Sequence, residues 1–585
     1  MTHSTRLRSF LASLLVATGA PAFAKGEPEL DPRSLAGSYL AARVAVTDRD
    51  TQSAVRLYER ALQLDTENLR LKQDAFLTYI TNGDIDAAVE LGRTLPLDDE
   101  APGILRLTLA VEALRARDLA SAERALDREW EAPLDRLLAG MLRAWAQLGL
   151  GDANKALATL DELDGPTWYD LFVDYHGGLI ALAAGRNEEA EARLEKAASG
   201  GARQGAPRTF PAIVRALAVA RAAKGDFDAA RETVEEQNAE QPSVLYERML
   251  EALVKKTVPT FDIRDAQRGA AEAMLNVGSA INRQGGLQFA ALYFQLAKAL
   301  APNSDRVTLT LAEYYDRAEA LERANEQFAA IPEASPFSRI ARLERALNLD
   351  ELDKLDEART AMDALLAERP GDLVTTLSYG AVLARHDKFA EAAKVYEAAI
   401  ALLDEPQPYH WNLFYRVGIA YERTKRWEMA EKAFRRALEL YPNEPRVLNY
   451  LGYSWVDMDR NLEEGLKMIE TAVSLRPRDG YMVDSLGWAF YRLGRFEDAV
   501  RELERAVELR PADPTINDHL GDALWRADRK LEAVYQWNHA LTLDPEPDQV
   551  QIIRDKVRNG LPPDVKTLAN PEGKPDAEAK PEKKS

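Results

Sequence analysis

The 585-residue chain contains no cysteine, and that absence is the first constraint on what it can be. It excludes disulfide staples, thiolate metal sites, a cysteine nucleophile and a lipid-bearing cysteine, so stability must come from packing over a large core. Histidine is scarce as well: only His176, His386, His410, His519 and His539 follow the first 24 residues. No His-Glu-x-x-His pair occurs and no glycine-rich loop precedes a Lys-Ser or Lys-Thr pair, so the signatures of zinc hydrolases and nucleotide-binding loops are missing. The nearest thing to a metal cluster is His519 with Asp518 and Asp522, but on a helix 518 and 522 share a face from which 519 points away. We expect no catalytic residue, no metal and no cofactor.

Basic charge is also in deficit. Against 95 Asp and Glu stand 75 Lys and Arg, a net charge of −20 that repels phosphate backbones and anionic headgroups, which makes nucleic acid a poor partner. Long apolar runs are absent beyond the first residues. "MTHSTRLRSFLASLLVATGAPAFAKGE" reads as a secretory signal, with Arg6 and Arg8 ahead of the apolar stretch Phe10 to Ala20 and a small-x-small site at Ala22 to Ala24. That stretch is about half the roughly 20 residues a bilayer span needs, which favours a cleaved signal over an uncleaved anchor. The expectation is a periplasmic protein cleaved after Ala24, not lipidated and not inserted in a membrane.

What the chain does have is a period. Ala54, Ala88, Ala122, Ala156, Ala190, Ala230, Ala290, Ala324, Ala358, Ala392, Ala430, Gly465, Ala499 and Ala533 are spaced by 34 four times, 40, 60, 34 three times, 38, 35, 34 and 34. With these at position 20 of each unit, glycine recurs at position 8 (Gly178, Gly278, Gly380, Gly418, Gly452, Gly487, Gly521) and proline at position 32 (Pro242, Pro302, Pro370, Pro442, Pro477, Pro511, Pro545). Large side chains recur at position 24: Tyr58, Phe294, Phe328, Tyr396, Phe434 and Trp537. Small residues let two antiparallel helices approach, rings fill the space between them, and proline ends the second helix. Gly83, Gly151, Gly185, Gly225, Gly285 and Gly494 fall where the turn between the helices needs a positive φ.

A 34-residue period with these markers resembles the tetratricopeptide repeat (TPR) family. The resemblance implies an all-α, right-handed α-solenoid of about fourteen helix-turn-helix repeats without a sheet, with a concave inner face. The interval of 60 holds one extra helix, about Val244 to Lys255, and a connector. The organisation expected is a signal at 1–24, a linker at 25–34, an N-terminal lobe at 35–243, an inserted helix and connector at 244–265, a C-terminal lobe at 266–548, a capping helix at 549–558 and a disordered tail at 559–585.

In this family the first helix of each unit lines the groove, usually through positions 2, 5, 9, 12 and 13. Carried onto the last four units, this implies a partner-binding groove of Tyr415, Ile419, Arg423, Asn449, Tyr453, Asp457, Tyr481, Asp484, Trp488, Tyr491, Arg492, Asp518, Asp522, Trp525 and Arg526. Aromatics and arginines dominate interface hot spots; the alternative is that Trp488 and Trp525 are core between repeats. Aspartates at 484, 518 and 522 depart from the family's carboxylate clamp. The segments "AAEAMLNVGSAINRQGGLQFAALYFQLAKALAPNSD" and "LNYLGYSWVDMDRNLEEGLKMIETAVSLRPRDGYMVDSLGWAFYRLGRFEDAVRELERA" are similar to exported proteobacterial TPR proteins. One type of these is a lipoprotein adaptor of a carboxyl-terminal processing protease. The resemblance implies a non-enzymatic adaptor or scaffold with a protein or peptide partner, such a protease among the candidates. The alternatives are a scaffold subunit of an envelope polysaccharide-export or secretion assembly, and an enzyme of cell-wall turnover.

Overall fold

The computed structural model describes residues 34–98, 101–203, 211–240, 243–283 and 285–562. The signal at 1–24, the linker up to residue 33, Pro242 and the tail from residue 563 lie outside them. Among the described residues the regular structure is helical, with no strand. The first helices pair as α1 (Leu35–Thr47) with α2 (Thr51–Leu64), α3 (Leu69–Asn82) with α4 (Ile85–Gly92), and α5 (Gly103–Arg115) with α6 (Leu119–Leu126). They continue as α7 (Pro133–Gly149) with α8 (Ala153–Asp161), α9 (Tyr169–Ala183) with α10 (Asn187–Arg203), and α11 (Pro211–Ala223) with α12 (Phe227–Glu240). A single helix, α13 (Val244–Val254), follows.

Then come α14 (Ala266–Arg283) with α15 (Leu287–Leu300), α16 (Asp305–Arg317) with α17 (Leu321–Ala329), α18 (Ser338–Glu351) with α19 (Leu355–Glu368), and α20 (Leu373–Arg385) with α21 (Phe389–Ile400). The last hairpins are α22 (Trp411–Arg423) with α23 (Trp427–Leu440), α24 (Pro445–Asp457) with α25 (Leu462–Leu475), α26 (Gly480–Arg492) with α27 (Phe496–Leu509), and α28 (Pro514–Arg526) with α29 (Lys530–Thr542). A terminal helix, α30 (Pro547–Asn559), closes the series. α13 falls within the interval of 60, and α30 follows Pro545.

The repeat positions do what their sizes require. Every alanine of the 34-residue series is fully buried, from Ala54 to Ala533. The glycine at position 8 sits against the large residue at position 24 of its own hairpin: a Cβ on Gly278 would come 2.7 Å from Phe294, and one on Gly521 2.4 Å from Trp537. Such contacts are tighter than van der Waals packing allows, so the two helices can close only on glycine. Each inter-helix turn passes through a positive φ, and the α24–α25 turn has a second at Asn461. Glycine supplies it in six hairpins, and Arg49, Arg117, Glu319, Asp353, Asp387, Lys425, Asp459 and Asp528 in the rest.

The chain forms two compact units, residues 1–348 and 349–585, with the division inside α18. This differs from a seam at 244–265: α13 and the segment 266–348 belong with the first unit. The reason is where α14 and α15 pack. In each unit the first helices of successive hairpins pack on one another, as α5 on α7, α7 on α9 and α24 on α26, and so make the tightly spaced inner layer. In the first unit, α14 lies on α7, α5 and α9, and α15 lies on α3 and α5. The hairpin after the insertion therefore occupies the inner layer of the preceding repeats instead of simply extending the stack.

The inner positions it covers are apolar. Leu107, Val111 and Leu114 of α5 and Leu138, Met141 and Trp145 of α7 are completely buried, each worth roughly 1.5–3 kcal/mol of burial. A Cβ on Gly269 of α14 would come 2.0 Å from the Trp145 ring, so only glycine lets the two helices meet there. Polar groups fix the register. Gln267 Nε2 donates to the carbonyls of Leu114 (3.1 Å) and Arg115 (3.0 Å) at the end of α5, and the Tyr175 hydroxyl donates to Glu272 Oε1 at 3.0 Å. The Trp145 indole N–H donates to His176 Nδ1 at 3.0 Å, and burial pushes that imidazole down to about 3. It is a neutral, structural histidine.

Candidate functional site

The groove positions of the second unit carry charge, and the chain neutralises most of it internally. His519 Nδ1 lies 2.9 Å from Asp484 Oδ1, on the preceding hairpin. Trp488 is stacked between Tyr491 (4.8 Å) and His519 (4.2 Å). Arg492 bridges Asp457 at 3.3 Å and Asp459 at 2.9 Å, and burial still raises the Asp457 carboxyl above its usual range. Asn449 Nδ2 donates to Ser485 Oγ at 3.2 Å, buried between α24 and α26. Among the described residues no group of His, Asp and Glu is arranged to hold a metal ion.

At the last hairpin α30 covers the inner positions. Lys556 Nζ donates to Asp518 Oδ2 at 2.7 Å and to Asp522 Oδ2 at 2.8 Å, and the Trp537 indole donates to Asp522 Oδ1 at 2.9 Å. Burial opposes the Lys556 charge, but the two carboxylates outweigh it and hold the ammonium above its ordinary range. Burial and the neighbouring Asp518 push Asp522 up to about 6 against the pull of Lys556. Gly560, at φ 68, lies on Trp525 so closely that a Cβ would come 1.9 Å from the indole. Trp525 also packs on Trp537 at 5.4 Å, so it is an element of the terminal packing.

The predicted groove residues therefore divide. Tyr415, Ile419, Asn449, Tyr453, Asp484, Tyr491, Asp518 and Asp522 are buried, whereas Asp457, Tyr481, Trp488, Arg492, Trp525 and Arg526 keep part of their surface. Arg423 is exposed; it lies 4.3 Å over the Phe389 ring and 3.6 Å from Asp387. Beside it on α22 stands Glu422, which accepts from the Tyr450 hydroxyl at 3.1 Å. Burial raises its carboxyl to about 7, against the pull of that hydroxyl and of Arg423.

Sequence reasoning over the last four units passed over α20. Its equivalent inner positions hold Val374, Leu377, Ala381 and Ala384, spaced i, i+3, i+7 and i+10 on one face, and all four are half-buried. The signal was the helical period of small apolar residues at positions that carry charge in later repeats. No described helix is long and apolar enough to cross a membrane.

Family models identify the repeat in both units. Tetratricopeptide repeat models match residues 45–107 in the first unit and 411–444 and 485–546 in the second. A TPR repeat-containing protein of Pseudomonas aeruginosa is 26% identical over 196 residues; the match spans 33% of this chain and 32% of that relative, about a third of its length. Among solved structures, Cut9 in the APC/C hetero-tetramer Cut9–Hcn1 is 12% identical, with 91% of this chain and 97% of that chain covered and a TM-score of 0.37. Yeast Tom70 is 14% identical over 90% of this chain and 95% of its own, with a TM-score of 0.34. YrrB, described as a TPR protein with an unusual peptide-binding site, is 17% identical over 33% of this chain and 98% of its own, with a TM-score of 0.27. The chain carries tetratricopeptide repeats in both of its compact units, a scaffold suited to protein–protein interaction.

Proposed function

We propose that the chain is a non-enzymatic, exported adaptor that receives a polypeptide partner on the inner face of its second unit, beginning at α20 and α22. The observation that carries this reading is the stripe Val374, Leu377, Ala381 and Ala384. In the first unit the inner positions Leu107, Val111 and Leu114 on α5 and Leu138, Met141 and Trp145 on α7 are covered completely and only Ile104 and Leu148 at the ends stay half-buried, whereas on α20 all four apolar inner positions are covered only in part. An amphipathic or extended segment laid on that stripe removes its apolar surface from water, with Arg423 at the rim as a charged anchor. The leading segment and the resemblance to exported TPR proteins support a periplasmic location. The same resemblance makes a carboxyl-terminal processing protease the first partner to test.

The experiment is affinity purification of the tagged chain from its own periplasm, alongside Leu377→Glu and Arg423→Glu. A protease recovered with the wild type and lost with both variants, at unchanged helicity, supports the reading. Equal recovery with all three contradicts the α20 surface. A second reading, a structural subunit of an envelope assembly, is favoured by Leu531 and Tyr535, one turn apart on α29 and 73% and 72% exposed. That reading predicts envelope subunits that co-purify with the wild type and both inner-face variants but not with Leu531→Ser/Tyr535→Ser.

A further inference from the structure

A recess of the second unit lies away from the inner-face stripe, at the edge formed by the loops that lead into α26 and α28, with a volume of about 810 Å³. Three guanidiniums line it, those of Arg476, Arg478 and Arg510, together with Tyr481 and the carboxylates of Asp479 and Asp513. Both carboxylates are already engaged as helix caps. Asp479 Oδ1 accepts from the N–H groups of Tyr481 and Met482, and Asp513 Oδ1 from those of Thr515 and Ile516 at 3.0 and 3.1 Å. The arginines are exposed, and among the described residues none of the three has a carboxylate partner. Their neighbours contrast with them: Arg492, Arg495, Arg501, Arg505 and Arg529 are each paired with an acid.

We propose that this recess binds an acidic segment of a polypeptide, with the three arginines taking its carboxylates. The Arg510 guanidinium carbon stands 4.0 Å from the Tyr481 ring centroid, a contact that restrains the side chain while its N–H groups remain available to a carboxylate. Gly480 makes this possible, since a Cβ there would come 2.8 Å from Arg510 Cγ and push the side chain off the ring. Pro477 and Pro511 hold the two rim loops in fixed backbone geometry, so little ordering entropy is lost when a ligand arrives. In a chain of net charge −20, a local site of unpaired arginines gives an acidic segment a place to bind against the general repulsion. The recess deepens the adaptor reading by giving the partner's chemistry, and it rests on that reading for the partner being a polypeptide.

The test is calorimetric titration of the whole chain at low salt with a synthetic decaglutamate, and with decaglutamine of the same length. Decaglutamate should bind and decaglutamine should not, with affinity falling as salt rises. The triple variant Arg476→Gln/Arg478→Gln/Arg510→Gln should weaken decaglutamate roughly tenfold or more, by the loss of three charge-assisted contacts. Gly480→Ala, which displaces Arg510 alone, should weaken it about threefold. Leu377→Glu should leave this titration unchanged, so failure of the α20 surface and failure of the recess are read separately. Equal affinity of wild type and triple variant, or no decaglutamate binding at all, overturns the proposal. So does binding of vesicles of anionic phospholipid that the triple variant loses while decaglutamate does not bind, because the recess would then serve a lipid surface.

Discussion

The two units solve the same problem, what to do with the inner layer of a helical stack, in opposite ways. In the first unit the inner positions of α5 and α7 are apolar, and the hairpin α14–α15 returns to bury them. In the second, α22 to α28 carry Arg423, Asp457, Asp484, Arg492, Asp518 and Asp522 at those positions, and neutralise most of them through cross-hairpin pairs with Asp387, Asp459, His519 and Lys556. The first solution is sealed by the hydrophobic effect at Leu107, Val111, Leu114, Leu138, Met141 and Trp145. The second pairs its polar groups within the chain, several of them buried, and leaves the apolar stripe of α20 half covered. Function is therefore expected where the chain did not finish covering itself.

The largest way to break this contrast is at Trp145. Trp145→Ala should cost about 3–5 kcal/mol, because it empties the space against Gly269 and leaves His176 without its donor. Hydrogen exchange should show α5, α7 and α14 losing protection while α20 to α28 are unchanged. Next is the buried cation of the terminal helix. Lys556→Ala leaves Asp518 and Asp522 facing each other without a counter-charge and should cost about 3 kcal/mol, read as loss of α30 protection and a change in Trp525 fluorescence.

A smaller effect concerns pH. Folding raises the Glu422 carboxyl from 4.5 to about 7, so the folded state holds its proton more tightly than the unfolded chain. The stability this brings is full below pH 4.5 and is lost as pH rises through about 7. Glu422→Gln keeps the neutral form at all pH values, so it should be about 1–2 kcal/mol more stable than wild type at pH 8 and equal to it at pH 4.5, by denaturant titration. The smallest effect is at a turn. Lys425 takes φ 61 where six other hairpins use glycine, and Lys425→Gly should stabilise by about 1 kcal/mol in thermal melts.

The fold was legible because its determinants are local and periodic: an alanine each 34 residues, a glycine facing a ring sixteen places on, a proline closing the second helix. The division into units was not, because α14 and α15 carry the same markers as any other hairpin, with Gly278, Ala290, Phe294 and Ala297 in register. Nothing in that period distinguishes a hairpin that extends a stack from one that folds back onto it. What distinguishes them is the chemistry of the partner surface, the apolar inner positions Leu107, Val111, Leu138 and Trp145 some 150 residues earlier. Of the expected groove residues, eight are buried, six keep part of their surface and Arg423 is exposed, which the repeat period alone does not distinguish. Trp525 is an inner-layer residue, yet α30 lies over it, and the aspartates at 518 and 522 face a lysine of the chain itself.

The most direct measurement is hydrogen exchange on the tagged chain with and without the partner that co-purifies with it. The account predicts new protection in α20 and α22, with no change in α5 and α7. Protection confined to the first unit, or to the outward helices such as α29, would contradict it.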